Sequence, residues 1–300
     1  MSSQAVSLIL GTDMATDCDD AAAMAVMHGL ADRGEARILA VVANNRHIDS
    51  VRAVHAINRW YGRPEIPLGT YRGTEVGFDD IKTYSNWIDD PAFGAMSTEE
   101  AEALPDAVTA YRQALAAEPD NSVTVVSIGH LNNIHDLLVS SPDAISPLTG
   151  SDLFAAKVNH AVIMGGGFPD SSERPQGWEH NFGARGAAPH THAVLVDGLW
   201  PESVPITFVG VELGWPVKTG VHLNDAPDDH PVKAAFRHNY ADSLNTGGRE
   251  SWDLIAVLVA VRGPEPFYRL SEPGTVRVAR DGSNTWAADP AGRQGFSNTP

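Results

Sequence analysis

Four aspartates crowd into eight residues, Asp13-Met-Ala-Thr-Asp17-Cys-Asp19-Asp20, directly after the apolar run Val6-Ser-Leu-Ile-Leu-Gly11. One carboxylate there has an ordinary use: Asp19 or Asp20 can cap the helix that starts at Asp20-Ala-Ala-Ala-Met-Ala-Val-Met. The others repel one another, because like charges this close push pKa values apart unless something positive sits between them. No Lys or Arg lies nearby before Arg33. A hard divalent cation that takes oxygen ligands, Ca²⁺ or Mg²⁺, is the economical partner. Spacing excludes two familiar acidic motifs. A helix-loop-helix calcium loop starting at Asp17 needs Gly at its sixth position and Glu at its twelfth, where Ala22 and His28 stand. A phosphatase that forms an aspartyl-phosphate needs Asp-x-Asp, and Ala15 stands at the second place.

The elements that position this octet read as alternating strands and helices. Val6 to Leu10, Ile38 to Ala43, Val123 to Ile128, Val158 to Met164 and Ile206 to Val211 are strand-like, with helices expected near 19–32, 48–61, 103–117, 131–139 and 187–197. The strands are too uniformly apolar to be half exposed, which predicts an α/β fold: a mainly parallel central sheet with helices on both faces. Ligands in such sheets bind at the carboxyl ends of the strands. Asn44-Asn45, Gly129-His130-Leu131-Asn132-Asn133, Gly165-Gly166-Gly167-Phe168 and Glu212 all follow strands and can meet the acidic loop on one rim. Gly73 to Thr98 and Pro169 to Gly177 are polar and Gly/Pro-punctuated, as long loops over a site would be. Thr275 to Ala279 and Thr285 to Ala288, around Asp281-Gly282, read as a hairpin. The whole chain, 1–300, is expected to form a single domain.

Composition narrows the partners. A formal charge of −17 argues against nucleic acid and anionic membranes, because nothing basic clusters to displace phosphate counterions, and leaves small neutral or cationic ligands open. No run approaches the length of a membrane span. The single cysteine, Cys18, allows no internal disulfide, and the start Met-Ser-Ser-Gln-Ala-Val lacks a basic, apolar leader, so a cytoplasmic address is expected. Cys18 itself reads as a small packing residue, since surrounding carboxylates raise its pKa.

Five separated motifs, in order, resemble the inosine-uridine-preferring nucleoside hydrolase family from about residue 6 to residue 263. Leu-Ile-Leu-Gly-Thr-Asp13-Met-Ala-Thr-Asp17-Cys-Asp19-Asp20 is similar to that family's Asp-x-Asp-Pro-Gly-x-Asp-Asp, with Gly11 at the first acidic place and two extra residues before the Asp pair. Val41-Val42-Ala43-Asn44-Asn45 resembles Val-x-Gly-Asn, and Ile128-Gly129-His130-Leu131-Asn132-Asn133-Ile134 resembles Thr-Gly-Pro-Leu-Thr-Asn-Ile. Met164-Gly165-Gly166 followed by Glu179-His180-Asn181 resembles Met-Gly-Gly and Glu-Phe-Asn, and Ser251-Trp252-Asp253 stands where that family often has His-Asp.

Carried over residue by residue, the resemblance implies a Ca²⁺ ion held by Asp13, Asp20, Asp253 and the backbone carbonyl of Ile128, gripping the ribose 2′ and 3′ hydroxyls. Three carboxylates and a vicinal diol are sensible oxygen ligands for such an ion. Asp13 is implied as general base to the attacking water as well as ligand. Asp19 is implied to contact the 2′ hydroxyl, Asn45 the ribose, Glu179 and Asn181 the 5′ and 3′ hydroxyls, and Met164 the sugar floor. The bland alternatives are that Asn45 caps the helix near Ile48, that Met164 is core and that Asp253 only complements a helix dipole. The resemblance implies a nucleoside or related N-riboside as substrate, a role in purine and pyrimidine salvage, and a homo-oligomer, a dimer or tetramer.

The pattern departs from the family chiefly at the leaving group. Where many members have a histidine that helps protonate the departing base, this chain has Trp252, whose indole can stack on a flat aglycone but is no acid. His238, Tyr240, His180 and His130 are the substitutes that adjoin site motifs. Arg185-Gly186-Ala187-Ala188 replaces Asp-Pro-Glu-Ala, and Pro169 to Trp178 offers no asparagine for a further sugar contact. Two alternatives to a nucleoside hydrolase therefore stand beside it: a metal-dependent ribose- or nucleoside-binding sensor, and a hydrolase of another glycoside.

Overall fold

The computed structural model describes residues 5–168 and 177–298. Six strands arise by residue 209: β1 (Val6–Thr12), β2 (Ala36–Ala43), β3 (Leu68–Thr70), β4 (Val123–Ser127), β5 (Val158–Met164) and β6 (Ile206–Val209). A ribbon of β7 (Lys218–Thr219) and β8 (Arg249–Glu250) stands apart, and β9 (Arg269–Leu270), β10 (Gly274–Val278), β11 (Asn284–Ala288) and β12 (Gln294–Asn298) return to the main sheet. The order is β11-β10-β12-β6-β5-β4-β1-β2-β3, with β9 also against β12. From β12 through to β3 every neighbour pair is parallel, so these strands deliver their C-terminal residues to one edge.

Side-chain alternation along a strand explains why both faces had to be covered. Leu8, Leu10, Val41, Val126 and Val162 pack beneath the helices Asp19–Asp32 and Trp252–Arg262. Ile9, Ala40, Val42, Val125 and Ile163 pack on the other side, beneath Ala107–Ala116 and Asn132–Leu138. This is the expected α/β architecture. Among the described residues no helix is long and apolar enough to cross a membrane.

Several boundaries differ from the sequence reading, each for a local reason. The helix expected at 103–117 begins at Ala107, because Pro105 interrupts it and Asp106 caps the new start by accepting from the Thr109 amide at 3.0 Å. A separate helix, Thr98–Glu102, carries its own capping box of Ser97 and Glu100. The stretch from Gly73 is no open loop, since Val76, Ile81 and Tyr84 are fully buried and Lys82–Ser85 is helical. The segment 169–176, most of the second expected loop, lies outside the described residues.

β12 has no counterpart in the sequence reading. It inserts between β6 and the antiparallel β10–β11 pair, joining that hairpin to the main sheet. Phe296 anchors it, stacked on Phe168 with centroids 4.7 Å apart and edge-on to Trp286 at 5.0 Å. Phe296→Ala is expected to lower unfolding free energy by about 3–5 kcal/mol in urea titrations. A loss below about 1 kcal/mol would show that β12 lies outside the cooperative core.

Candidate active site

The acidic octet opens onto a cavity of about 390 Å³ whose lining includes Asp13, Asp19, Asp20 and Asp253. Asp13 directly follows β1, Asp19 and Asp20 are the first two residues of their helix, and Asp253 is the second residue of Trp252–Arg262. Neither helix begins with a side-chain cap, so Asp19 and Asp20 do not cap and their carboxylates are left for the cavity. One carboxylate oxygen from each of Asp19, Asp20 and Asp253 lies within 4.8 Å of the other two, and all three residues are buried. Burial first, then the negative charge of a nearby aspartate, Asp17 for Asp19, Asp13 for Asp20 and Asp19 for Asp253, holds these three carboxyls well above the usual carboxylate range. Asp13 is pushed up to about 8, by burial and then by the negative charge of Asp19.

Local relief is small. Thr12 Oγ1 donates to Asp20 Oδ1, and the Asp253 amide reaches Asp19 Oδ2 at 3.5 Å. Two helix N-termini add partial positive charge. Among the described residues no lysine or arginine ion pair reaches Asp13, Asp19, Asp20 or Asp253. A buried set of hard oxygen donors with surplus negative charge fits a hard divalent cation.

Behind the carboxylates the strand ends are stitched together. Gly129 passes so close to Asp13 that a Cβ there would lie 2.6 Å from its amide nitrogen and its Oδ1, which only glycine avoids. Gly11, where the resemblance puts an aspartate, has the Tyr111 hydroxyl 2.7 Å from the position of a Cβ. The buried His130 ring sits with Nε2 3.5 Å from Asp13 Oδ2 and Nδ1 3.3 Å from the Asn181 carbonyl. A carbonyl only accepts, so Nδ1 carries the proton and Nε2 turns its lone pair to Asp13. Burial, and then His180, hold His130 down to about 3.

Asn181 spans the ends of two strands, its Nδ2 donating to the Met164 carbonyl at 3.2 Å and to that of Ile128 at 3.4 Å. Glu179 accepts from the amides of Asn181 at 2.8 Å, Gly166 at 3.1 Å and Phe182 at 3.2 Å, and burial raises it to about 7. Ile128, Met164, Glu179 and Asn181 all line the cavity. Asn45 does not. Its Oδ1 accepts from the amides of His47 and Phe78, so it fixes Phe78, which does line the cavity. His47, not Asn45, is the cap of the helix Ile48–Trp60.

Asp17, which the sequence left without a role, meets a cation from 232 residues away. Arg249 Nε donates to Asp17 Oδ1 at 2.7 Å, its Nη2 to Oδ2, and its Nη1 to Glu250 Oε2 at 2.8 Å. The guanidinium carbon lies 5.0 Å from the Trp252 ring centroid and 5.3 Å from that of Tyr240. Trp252 spends its indole N–H on the Val211 carbonyl at 2.8 Å, and its ring lies 5.6 Å from that of Trp215. Arg249, Tyr240, Trp215 and Trp252 form an aromatic wall of the cavity. Of the substitute acids, Tyr240 and His180 line the cavity and His238 does not. Sequence reasoning missed Arg249; the signal was Asp17 itself, a carboxylate with no stated partner.

The chain belongs to the inosine-uridine preferring nucleoside hydrolase family, whose pattern matches residues 8–293, past the stretch covered by the sequence motifs. The members of this family are metal-dependent enzymes that hydrolyse N-glycosidic bonds. None of the curated proteins matches the sequence. Among solved structures, a plant nucleoside hydrolase is similar at 18% identity and TM-score 0.68, over 98% of this chain and 94% of that one. A purine-preferring ribonucleoside hydrolase from Gardnerella vaginalis is similar at 15% identity and TM-score 0.68, over 97% and 92%. The type III effector XopQ, in complex with adenosine diphosphate ribose, is similar at 16% identity and TM-score 0.67, over 96% and 89%.

Two measurements test this geometry. Arg249→Met leaves Asp17 partly buried and unpaired, with an expected loss of about 1–3 kcal/mol in stability. Combined with Asp17→Asn the loss should be smaller than the sum of the two single losses, and strict additivity would show that the pair does not interact. The second measurement is pH-dependent melting. Without metal, the folded state holds protons on the site carboxyls that the unfolded chain has lost above about pH 4, so stability falls as pH rises toward about 8. Added Ca²⁺ binds the ionised form, and the melting temperature it restores should grow over that window. Parallel melting curves with chelator and with Ca²⁺ would count against a cation at these carboxylates.

Proposed function

We propose that this chain is a Ca²⁺-dependent N-ribohydrolase that splits a ribonucleoside or related N-riboside with water into ribose and free base. The observation that carries this reading is the gathering of Asp13, Asp19, Asp20 and Asp253 with Met164, Glu179 and Asn181 around one cavity at the strand ends. Its volume suits a small molecule. Asp13, Asp20, Asp253 and the Ile128 carbonyl would hold the ion, which would offset most of their negative charge and bind a vicinal diol.

Asp13 takes the proton of the attacking water. Cleavage leaves an oxocarbenium-like sugar, which the surrounding carboxylates stabilise. Asp19 faces the 2′ hydroxyl, Glu179 and Asn181 the 5′ and 3′ hydroxyls, and Met164 the sugar floor. Asn45 acts indirectly, by holding Phe78. Trp252 offers the base an aromatic face. One observation favours the binding-protein alternative: the indole N–H in the acid's usual place is already donated to Val211. The XopQ complex also supports the use of this fold for ribosides.

The test incubates Ca²⁺-loaded protein with a nucleoside panel and p-nitrophenyl riboside and assays free ribose. Ribose release is expected, faster from the p-nitrophenyl substrate than from inosine, and Asp13→Asn that retains metal should lose roughly 100-fold or more in kcat with little change in KM. Absence of turnover on every riboside, with Ca²⁺ bound, would refute the hydrolase; calorimetric ribose binding in that case identifies a sensor.

A further inference from the structure

A second group of metal-ligating side chains lies away from the acidic cavity. His135 and Asp136 stand on the helix Asn132–Leu138, and His190 stands on the helix Ala188–Leu195. One ligand atom from each lies within 4.8 Å of the other two, and none of the three residues lines the cavity. Glu75 joins them from a third segment, its Oε2 3.7 Å from His190 Nε2. Among the described residues no lysine or arginine ion pair reaches Asp136 or Glu75.

Two observations set this group apart from a chance meeting of polar side chains. Neighbouring residues on a helix do not face each other. Here His135 Nδ1 nevertheless lies 2.9 Å from Asp136 Oδ1, and the His135 ring meets that of His190 edge-on with centroids 4.9 Å apart. The second observation is independent of the first. The His190 side chain is only 10% exposed, yet its Nδ1 is sealed from solvent without a hydrogen-bond partner among the described residues, and Nε2 is too far from Glu75 for a hydrogen bond. Other histidines in the interior spend a ring nitrogen on a neighbour: His28 on Asn58, His130 on the Asn181 carbonyl, His160 on Thr207 and His192 on the Val278 carbonyl. A buried polar atom left unpaired is uncommon, and a bound ion is one physical reason for it.

We infer that His135, Asp136 and His190 form a structural Zn²⁺ site, with Glu75 within reach of the fourth position. Two imidazoles and a carboxylate suit a borderline cation that takes nitrogen and oxygen donors in four-coordinate geometry. Ca²⁺, which takes six to eight oxygens, is poorly served by the same set. The chain thus carries two centres of different hardness. The ion ties together three segments that each lead to the cavity: Glu75 precedes Phe78, His135 follows Ile128, and His190 follows Asn181. It fastens the rim and takes no part in the reaction, so the inference stands apart from the ribohydrolase reading.

The experiment uses the full, untagged chain, freed of metal with chelator, then held in excess Ca²⁺ and titrated with Zn²⁺ by calorimetry. One Zn²⁺ should bind per chain and raise the melting temperature. His135→Gln, Asp136→Asn and His190→Gln should each weaken Zn²⁺ roughly 100-fold or more, since each removes a direct ligand and losing an outer partner alone costs about 10–100-fold. Asp253→Asn, which alters the acidic centre, should leave Zn²⁺ affinity unchanged. His135 and Asp136 are 25% and 37% exposed, so their variants decide the matter even where His190→Gln does not fold. Wild-type Zn²⁺ affinity in His135→Gln overturns the inference, as does loss of Zn²⁺ binding in Asp253→Asn or absence of Zn²⁺ binding in excess Ca²⁺.

Discussion

Repulsion among buried carboxylates at one sheet edge is the constraint on which the rest of this structure depends. Asp19, Asp20 and Asp253, all buried, each bring one carboxylate oxygen within 4.8 Å of the others, and Asp13 adds to their charge. Such a set is stable only with its protons retained or with a cation supplied. The scaffold compensates for little of that charge itself, using one threonine hydroxyl and two helix N-termini. What it does instead is hold the backbone rigidly around the carboxylates. Gly129 lies against Asp13, and side chains from Asn44, Asn132, Asn133 and Asn181 bond to backbone carbonyls between the strand ends. A fixed frame keeps the charges close where a flexible one would let them separate.

The parallel sheet makes the concentration possible. Strands that all run one way place their C-terminal residues on a common rim, and the helices that follow begin there with their positive ends toward it. The same rim carries two kinds of acid. Among the described residues Asp13, Asp19, Asp20 and Asp253 have no lysine or arginine ion pair, whereas Asp17 is paired with Arg249. That ion pair links the loop after β1 to β8 and so sets where Trp252 and Asp253 begin their helix. The clustered carboxylates and the aromatic side of the cavity are thereby joined by one contact between distant segments.

Much of this architecture is legible in the residues. Uniformly apolar runs fix a sheet covered on both faces, because a half-exposed strand would alternate. Helix starts and the strand-end motifs follow from equally local signals. Short or late elements escape. β3 has three residues, and β12 is defined by its partners β6, β10 and β9, so neither has a pattern of its own. Among site residues, Asp13, Asp19, Asp20 and Asp253 announce themselves by type and spacing, but Asn45 by its motif points to the sugar while its amide oxygen in fact fixes Phe78.

The sequence by itself therefore determined the fold class and the presence of an acidic, cation-demanding centre, since burial patterns and like-charge density are properties of neighbouring residues. Only the tertiary structure decided how the four aspartates divide. It freed Asp19 and Asp20 from capping, turned Asp253 toward them, and gave Asp17 to Arg249. It also placed Arg249 over the rings of Trp252 and Tyr240, on the aromatic side of the cavity. The physical reason is range: repulsion within eight residues is visible along the chain, whereas the partner that relieves it comes from 232 residues away and is chosen by packing.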